Sequence, residues 1–265
     1  MTMLLVHAHP DDESILTAGI ALREHREGRR VVLVTATLGD AGEFHGPEQS
    51  LGRSALPAVR ARELSEACAV LGVDRQVGLG YRDSGMRRAM APGGAFSVAP
   101  LAEVTGRLVE ILTEERPSIV VTVGADGTYG HPDHIRAHEA TMAALEILHE
   151  EGWSPRTVAM VVFPHGFAEL FVHVLLAAGL HPSQWLLSQA STAPSPGAAV
   201  RFLLLEDLVR SKRAAIAAHR SQIHGLLALA LRHPWLCRVA FGVERYLVQG
   251  QTADRYTVRT LTAHA

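Results

Sequence analysis

Apolar residues along this chain alternate between short continuous runs and longer stretches in which they recur every three or four positions. The first pattern reads as buried strand and the second as amphipathic helix. Met3 to Val6 is an apolar run that stops at His7-Ala8-His9-Pro10. A helical pattern follows from about Ser14 to Glu27, with Ile15, Leu16, Ile20 and Leu22 as its apolar members, and Gly28 closes it. Val31 to Thr37 is a second β-rich run, so the opening segment predicts a strand–helix–strand unit long enough for a parallel crossover. Asp11 and Asp12 fall where the first strand meets its helix.

The alternation continues. A polar, glycine-containing loop from Gly39 to Ser54 leads to a helix over Pro57 to Leu71, closed by Gly72. A short strand near Val77 to Leu79, a loop over Pro92 to Ala99 and a helix over Leu101 to Glu115 come next. Ser118 to Val123 is a continuous β-branched run, as expected of a parallel strand buried on both faces. It ends in a glycine-rich loop that runs to His131-Pro132-Asp133-His134; a helix to about Glu150 and a strand over Val158 to Phe163 follow. This order predicts an α/β fold: a Rossmann-like, open, mostly parallel sheet with helices on both faces. Ligands of such folds gather outside the carboxyl ends of the strands. The two loops rich in histidine and aspartate both follow predicted strands, so they are expected to share one crevice although roughly 120 residues separate them.

The C-terminal third is patterned less clearly. Ala190 to Ala198 reads as a loop and Leu204 to His219 as an amphipathic helix; Gln222 to Val248 is apolar but interrupted by Arg232, His233 and Pro234. The expectation is one domain over residues 1–265, with a core to about 165 and a C-terminal extension over 166–265. The apolar segments Gly166 to Leu187 and Leu226 to Val248 are expected to pack on the core, with a homo-oligomer interface as the alternative.

With 265 residues, 48% hydrophobic and 20% charged, the chain is able to bury a sizeable core, which argues against disorder. A net charge of −2 without charge blocks argues against a nucleic-acid or anionic-membrane partner. Cys68 and Cys237 make neither a disulfide framework nor a cysteine-based zinc site, so a reducing, cytoplasmic location is expected. The longest apolar stretch, Phe167 to Leu180, carries Glu169 and His173 and falls short of the ~20 residues that span a bilayer; no transmembrane segment is expected. The 15 histidines direct attention to metal binding and proton transfer.

The first βα turn is the most informative stretch. Where a dinucleotide-binding chain carries a glycine-rich cradle, this one carries His-Ala-His-Pro-Asp-Asp-Glu, a poor site for pyrophosphate and a good one for a cation. Asp11 or Asp12 alone reads equally well as a helix cap, and His9 alone as a hydrogen-bonded loop residue. Capping uses one carboxylate, however, and two adjacent carboxylates repel unless a counter-charge such as a bound cation joins them. His131 and His134 repeat the logic after a second strand. Two histidines and one carboxylate leave open positions on a metal, the pattern of catalytic sites; it suits zinc hydrolases and non-haem iron oxygenases alike. A spare carboxylate favours the hydrolase, because Asp11 beside a ligand Asp12 supplies the base that metal-activated water requires.

At these residues the chain resembles the zinc-dependent N-acetylglucosaminide de-N-acetylases, the PIG-L/LmbE-like family. That family includes lipid-linked N-acetylglucosaminyl-phosphatidylinositol deacetylases, mycothiol and bacillithiol biosynthetic deacetylases and the mycothiol-conjugate amidase. The resemblance rests on Ala8-His9-Pro10-Asp11-Asp12-Glu13 and Gly130-His131-Pro132-Asp133-His134 as a pair. Thr37 to Glu43, Arg60 to Leu64 and Tyr81 to Met86 support it, and it spans roughly residues 3–165. Lys212 and His219-Arg220-Ser221-Gln222 resemble a late helix of the family, and Asp40 stands where relatives often have Glu. The resemblance implies His9, Asp12 and His134 as metal ligands, Asp11 as general base, His131 as an oxyanion-stabilising imidazolium and Asp133 as its orienting partner. It further implies Tyr129 as a second oxyanion donor and Arg60 and Asp83 as sugar-holding residues. Zn2+ is the implied cofactor, and Fe2+ fits the same ligands.

The function expected on these grounds is metal-dependent removal of the N-acetyl group from an N-acetylglucosamine conjugate, releasing acetate and a free amine. N-acetylglucosaminyl-malate and N-acetylglucosaminyl-inositol are the leading substrates; a thiol-conjugate amidase or a deacetylase of another amino sugar comes next. A metal- or sugar-binding protein without activity is the competing class, against which Asp11 and His131 speak, since binding alone needs neither.

Overall fold

The computed structural model describes residues 1–86, 91–161, 200–203 and 206–250. The apolar runs of the sequence become the middle of the sheet. β1 (Thr2–His7) and β4 (Ile119–Val123) are buried almost throughout and lie side by side, parallel, pairing Met3 with Ile119 and Leu5 with Val121. β2 (Arg30–Thr37) flanks β1 on its other side, and β3 (Arg75–Tyr81) forms that edge with alternating burial. β5 (Thr157–Val161) extends the sheet beyond β4, again parallel. With β6 (Val200–Leu203) and β7 (Val243–Gly250), the strand order among the described residues is β3-β2-β1-β4-β5-β7-β6. The chain therefore builds outward from β1 in one direction and then outward from β4 in the other. The crevice between the carboxyl ends of β1 and β4 is where such a reversal opens a ligand site.

Helices cover the sheet in two groups. α4 (Leu101–Glu115) packs with α6 (Pro132–Glu150), while α2 (Ala18–Arg26) and α3 (Leu56–Leu71) pack with α7 (Glu206–Ala218). α6 also packs against β1 and β4 and so delivers its first turn to the crevice. The α/β, mostly parallel architecture expected from the sequence is the one observed.

Three features differ from the reading of the pattern. The helix expected from Ser14 to Glu27 begins at Asp12 and breaks at Thr17, giving α1 (Asp12–Leu16) and α2. Thr17 leaves helical geometry, and its hydroxyl is 2.8 Å from the buried His7 Nε2 and donates to the Glu13 carbonyl, so a side-chain bond competes with the helix. The apolar segment Leu226 to Val248 resolves into α8 (Gly225–Arg232), α9 (Pro234–Phe241) and the strand β7 (Val243–Gly250). β7 runs antiparallel to β5 and is joined by β6 (Val200–Leu203), so the C-terminal part adds two antiparallel strands to the parallel sheet. The expected apolar segment Gly166 to Leu187 and the expected loop Ala190 to Ala198 lie outside the described residues. No helix among the described residues is long and apolar enough to cross a membrane. Cys68 and Cys237 are both buried and free.

The late segment is locked to the early one by a buried polar knot. Glu244 on β7 accepts hydrogen bonds from the backbone N–H groups of Gly19 (2.7 Å) and Ile20 (3.1 Å) at the start of α2. Lys212 Nζ lies 2.7 Å from the same carboxylate, and the Tyr246 hydroxyl donates to it at 2.7 Å. Lys212 and Glu244 are both buried, so removing one leaves the other's charge uncompensated, at a cost of roughly 3–5 kcal/mol. Lys212→Met is therefore expected to lower the unfolding free energy by about that amount in urea titration, and a loss below ~1 kcal/mol would contradict the assignment.

Candidate metal and catalytic site

The two motif-bearing loops meet. His9 follows the end of β1, Asp12 opens α1, and His131 caps α6 while His134 lies in its first turn. The ring centroids of His9 and His134 are 5.3 Å apart, those of His9 and His131 4.5 Å, and those of His131 and His134 5.3 Å. Asp12 ties the loops together. Its Oδ2 accepts the backbone N–H groups of Ala8 (3.2 Å) and His9 (2.9 Å), and its Oδ1 lies 3.3 Å from His134 Nε2. His9 Nδ1 faces the same carboxylate at 3.8 Å. Burial opposes the charge on Asp12, but the His134 and His9 imidazoles hold its carboxyl well below the usual range.

The far side of His9 is fixed as well. Its Nε2 lies 3.2 Å from Asp133 Oδ2 and 3.6 Å from Asp83 Oδ1. Burial alone would lower the His9 pKa; the two carboxylates more than offset it and push the ring up to about 10. Asp133 is itself held by Ser84, whose backbone N–H donates to Oδ2 at 3.0 Å and whose hydroxyl donates to Oδ1. Asp83 accepts from the Gly85 N–H at 2.8 Å, and its own N–H donates to Asp40 Oδ1 at 2.8 Å.

The Asp133 carboxylate is thus bonded to His9 and Ser84, whereas the resemblance assigns it to His131. His131 is met by the Asp133 backbone instead: its Nδ1 accepts that N–H at 3.2 Å and caps α6. The accepting role leaves the proton of the neutral ring on Nε2. Burial and the neighbouring His9 and His134 rings push His131 down to about 3, which favours the neutral donor over the imidazolium that the resemblance implies.

Asp11 has the most constrained backbone of the site. Its φ of 116° lies where a residue with a side chain is rarely found, at a cost of order 1–3 kcal/mol that the surroundings must impose. Glu13 Oε2 accepts its N–H at 3.0 Å, its carbonyl accepts from Ser14 and Ile15 at the start of α1, and Arg60 donates to its Oδ2 at 3.2 Å. Arg60 is buried and also donates to the carbonyls of Pro10 and Gly39. Its guanidinium is committed to shaping the first loop; the resemblance gives it a sugar. The Asp11 side chain keeps 22% of its surface exposed, whereas Asp12 keeps 7%, so Asp11 is the carboxylate with access to the crevice. Burial pushes its carboxyl up to about 6 although Arg60 opposes the shift, leaving it mostly ionised at neutral pH and more basic than an ordinary aspartate.

Two glycines make these approaches sterically feasible. Gly39 (φ +66°) lies so close to Arg60 that a Cβ would fall 2.0 Å from its guanidinium. Gly127 (φ +65°) lies against α6, where a Cβ would be 2.7 Å from the Ile135 side chain. Tyr129 belongs to the short helix α5 (Gly127–Gly130), but its side chain lies outside the described residues. Sequence reasoning gave no role to Ser84, Asp40, Glu13 or His219, although all four stand inside the quoted motifs. A second surface trio, Glu43, His45 and His224, is partly exposed and its members bond one another.

The donor set suits a divalent cation. Zinc bonds of about 2.0–2.2 Å in tetrahedral geometry place ligand atoms roughly 3.3 Å apart; here Asp12 Oδ1 lies 3.3 Å from His134 Nε2 and Asp12 Oδ2 lies 3.8 Å from His9 Nδ1, one oxygen facing each ring. The Asp133 carboxylate on the far nitrogen of His9 is the outer partner that metal-bound imidazoles usually have. Two groupings in this crevice bring one donor atom from each member within 4.8 Å of the others: His9 with His131 and His134, and His9 with Asp83, His131 and Asp133, whose carboxylates Ser84 and the Gly85 N–H already engage.

Comparison with known proteins places this site in context. The sequence profile of the PIG-L family, GlcNAc-PI de-N-acetylase, matches residues 4–145. A Salinispora arenicola protein named 1D-myo-inositol 2-acetamido-2-deoxy-alpha-D-glucopyranoside deacetylase is 35% identical over 263 residues, covering 91% of this chain and 81% of its own. Among solved structures, N,N'-diacetylchitobiose deacetylase from Pyrococcus horikoshii aligns with a TM-score of 0.58 at 24% identity, over 98% of this chain and 87% of its own. A 4-carboxy-2-hydroxymuconate hydratase from Pseudomonas putida aligns with a TM-score of 0.60 at 19% identity, over 94% and 95%, so the fold alone does not fix the reaction. The profile match across both histidine- and aspartate-rich loops, with 35% identity to the Salinispora relative over 91% of this chain, shows that the chain belongs to the PIG-L family of de-N-acetylases.

Proposed function

We propose that this protein is a metal-dependent hydrolase that removes the acetyl group from an N-acetylglucosamine conjugate, N-acetylglucosaminyl-inositol being the substrate its relatives' names favour. The observation that supports the reading is the Asp12 carboxylate between His134 at 3.3 Å and His9 at 3.8 Å, with Asp11 as the more exposed carboxylate next to it. His9, Asp12 and His134 are the proposed ligands, for zinc by default and ferrous iron by the same donors. When bound, the cation polarises the amide carbonyl and lowers the pKa of water.

The chain's own residues do the rest. Asp11, oriented by Arg60 and Glu13, takes the proton of the attacking water. His131 turns its Nε2–H toward the oxygen that gains charge; one such donor is typically worth ~3 kcal/mol. Asp11 then returns the proton to the leaving nitrogen, so that amide and water become acetate and amine. Asp133 and Asp83 hold His9 rather than touch substrate through the same oxygens. The relatives' names favour a small sugar conjugate over a lipid, and two buried, free cysteines fit a reducing cytoplasm.

Purified protein is expected to release acetate from N-acetylglucosaminyl-inositol, to lose this activity on chelation and to regain it with zinc; activity indifferent to chelator overturns the reading. Asp11→Asn should cut kcat by about two to four orders of magnitude with zinc content unchanged, whereas Asp12→Ala should lose the zinc. His131→Ala should lower kcat by about 100-fold with zinc retained; zinc lost in that variant would make His131 a ligand. Gly39→Ala should push Arg60 off Asp11 and lower kcat by at least tenfold, and a wild-type rate there would remove Arg60 from the account.

A further inference from the structure

Asp11 holds its rare backbone geometry because a second carboxylate grips its N–H. That carboxylate is Glu13, two residues on, reaching back with Oε2 at 3.0 Å. Glu13 is fully buried, and its other oxygen is also engaged: Oε1 accepts the Ser14 hydroxyl at 2.6 Å and lies 2.7 Å from His219 Nε2. His219 is equally buried and stands just past the end of α7, 206 positions along the chain. Its ring is offered to the first loop by the turn Arg220–Gln222, which is anchored in its own right. The Ser221 N–H and hydroxyl donate to Glu63 Oε1 and Oε2 at 2.7 and 2.6 Å, and Glu63 lies on α3, the helix that carries Arg60. Asp11 is thus fixed on two sides from one scaffold: Arg60 reaches it directly from α3, and His219, supported from α3, reaches it through Glu13.

We propose that Glu13 and His219 are a positioning pair for the base: the segment after α7 sets the orientation of Asp11 by holding the carboxylate that fixes its backbone. The inference rests on the reading of Asp11 as the base. Neither residue touches the reacting atoms. Their effect is on how often Asp11 points at the water, so it falls on kcat and leaves substrate affinity and metal binding in place. It also makes a geometric demand. A donor is needed at the position of the His219 Nε2 atom, which a glutamine amide reaches and an asparagine amide does not.

The test measures acetate release from N-acetylglucosaminyl-inositol by full-length, zinc-loaded His219→Gln, His219→Asn and Glu13→Gln, with zinc content and thermal midpoint recorded for each. His219→Asn and Glu13→Gln are expected to lose at least tenfold in kcat with KM and zinc content within threefold of the parent, while His219→Gln stays within threefold in kcat. Equal losses in the glutamine and asparagine variants overturn the proposal, because a merely space-filling histidine has no such preference. So does an undiminished kcat in His219→Asn, or a loss confined to KM or zinc content. Asp11→Asn, measured alongside, separates the failures: full activity there removes the base itself, whereas an inactive Asp11→Asn beside an unaffected His219→Asn removes only the pair.

Discussion

The site depends on a single carboxylate that belongs to two loops at once. Asp12 accepts the backbone N–H groups of Ala8 and His9 with one oxygen and faces His134 on α6 with the other. Without it, His134 on α6 would lose the carboxylate at 3.3 Å and the backbone N–H groups of Ala8 and His9 would lose their acceptor. Buried charges are costly unless they are paired, and the remaining residues supply much of that pairing. Asp133 and Asp83 answer His9, Ser84 answers Asp133, Asp40 answers the Asp83 backbone, and Arg60 answers Asp11. The order of strands explains why the cluster lies where it does, since β1 and β4 are the neighbours at which the sheet reverses its direction of growth.

Much of this was legible in the chain. The continuous apolar runs of β1 and β4 read as buried parallel strands, and the loops that follow them, with their acidic and imidazole groups, were expected at the carboxyl ends. The meeting of His9 with His134 followed from those two facts. The break at Thr17 was hidden because the apolar period runs through it; what ends the helix is a bond to His7, and period says nothing about such a bond. β7 was hidden by the two apolar helices before it, which blur into one hydrophobic stretch. Its antiparallel place beside β5 is a pairing between residues some 90 positions apart, such as Val161 and Tyr246.

Partners of the second rank were the least legible. Glu13 stands inside the first motif and His219 inside the late one, yet neither spacing nor composition says that they face each other. The same holds for Ser84 and Asp133, and for the way Arg60 spends its guanidinium on the Pro10 and Gly39 carbonyls. Chemistry-bearing residues announce themselves by type, whereas the groups that aim them are ordinary residues whose role exists only in three dimensions. The lowered pKa of His131 is of this kind: burial is its main cause, and two further imidazoles at close range add to it.

The central claim is that one divalent cation binds between His9, Asp12 and His134. Anomalous X-ray scattering at the zinc absorption edge, from crystals of the zinc-loaded protein, tests this most directly. The account predicts a strong peak bonded to those three side chains, with the Asp11 carboxylate adjacent and not coordinated. A peak seated instead among His9, Asp83, His131 and Asp133, or no peak in this crevice at saturating zinc, would contradict it.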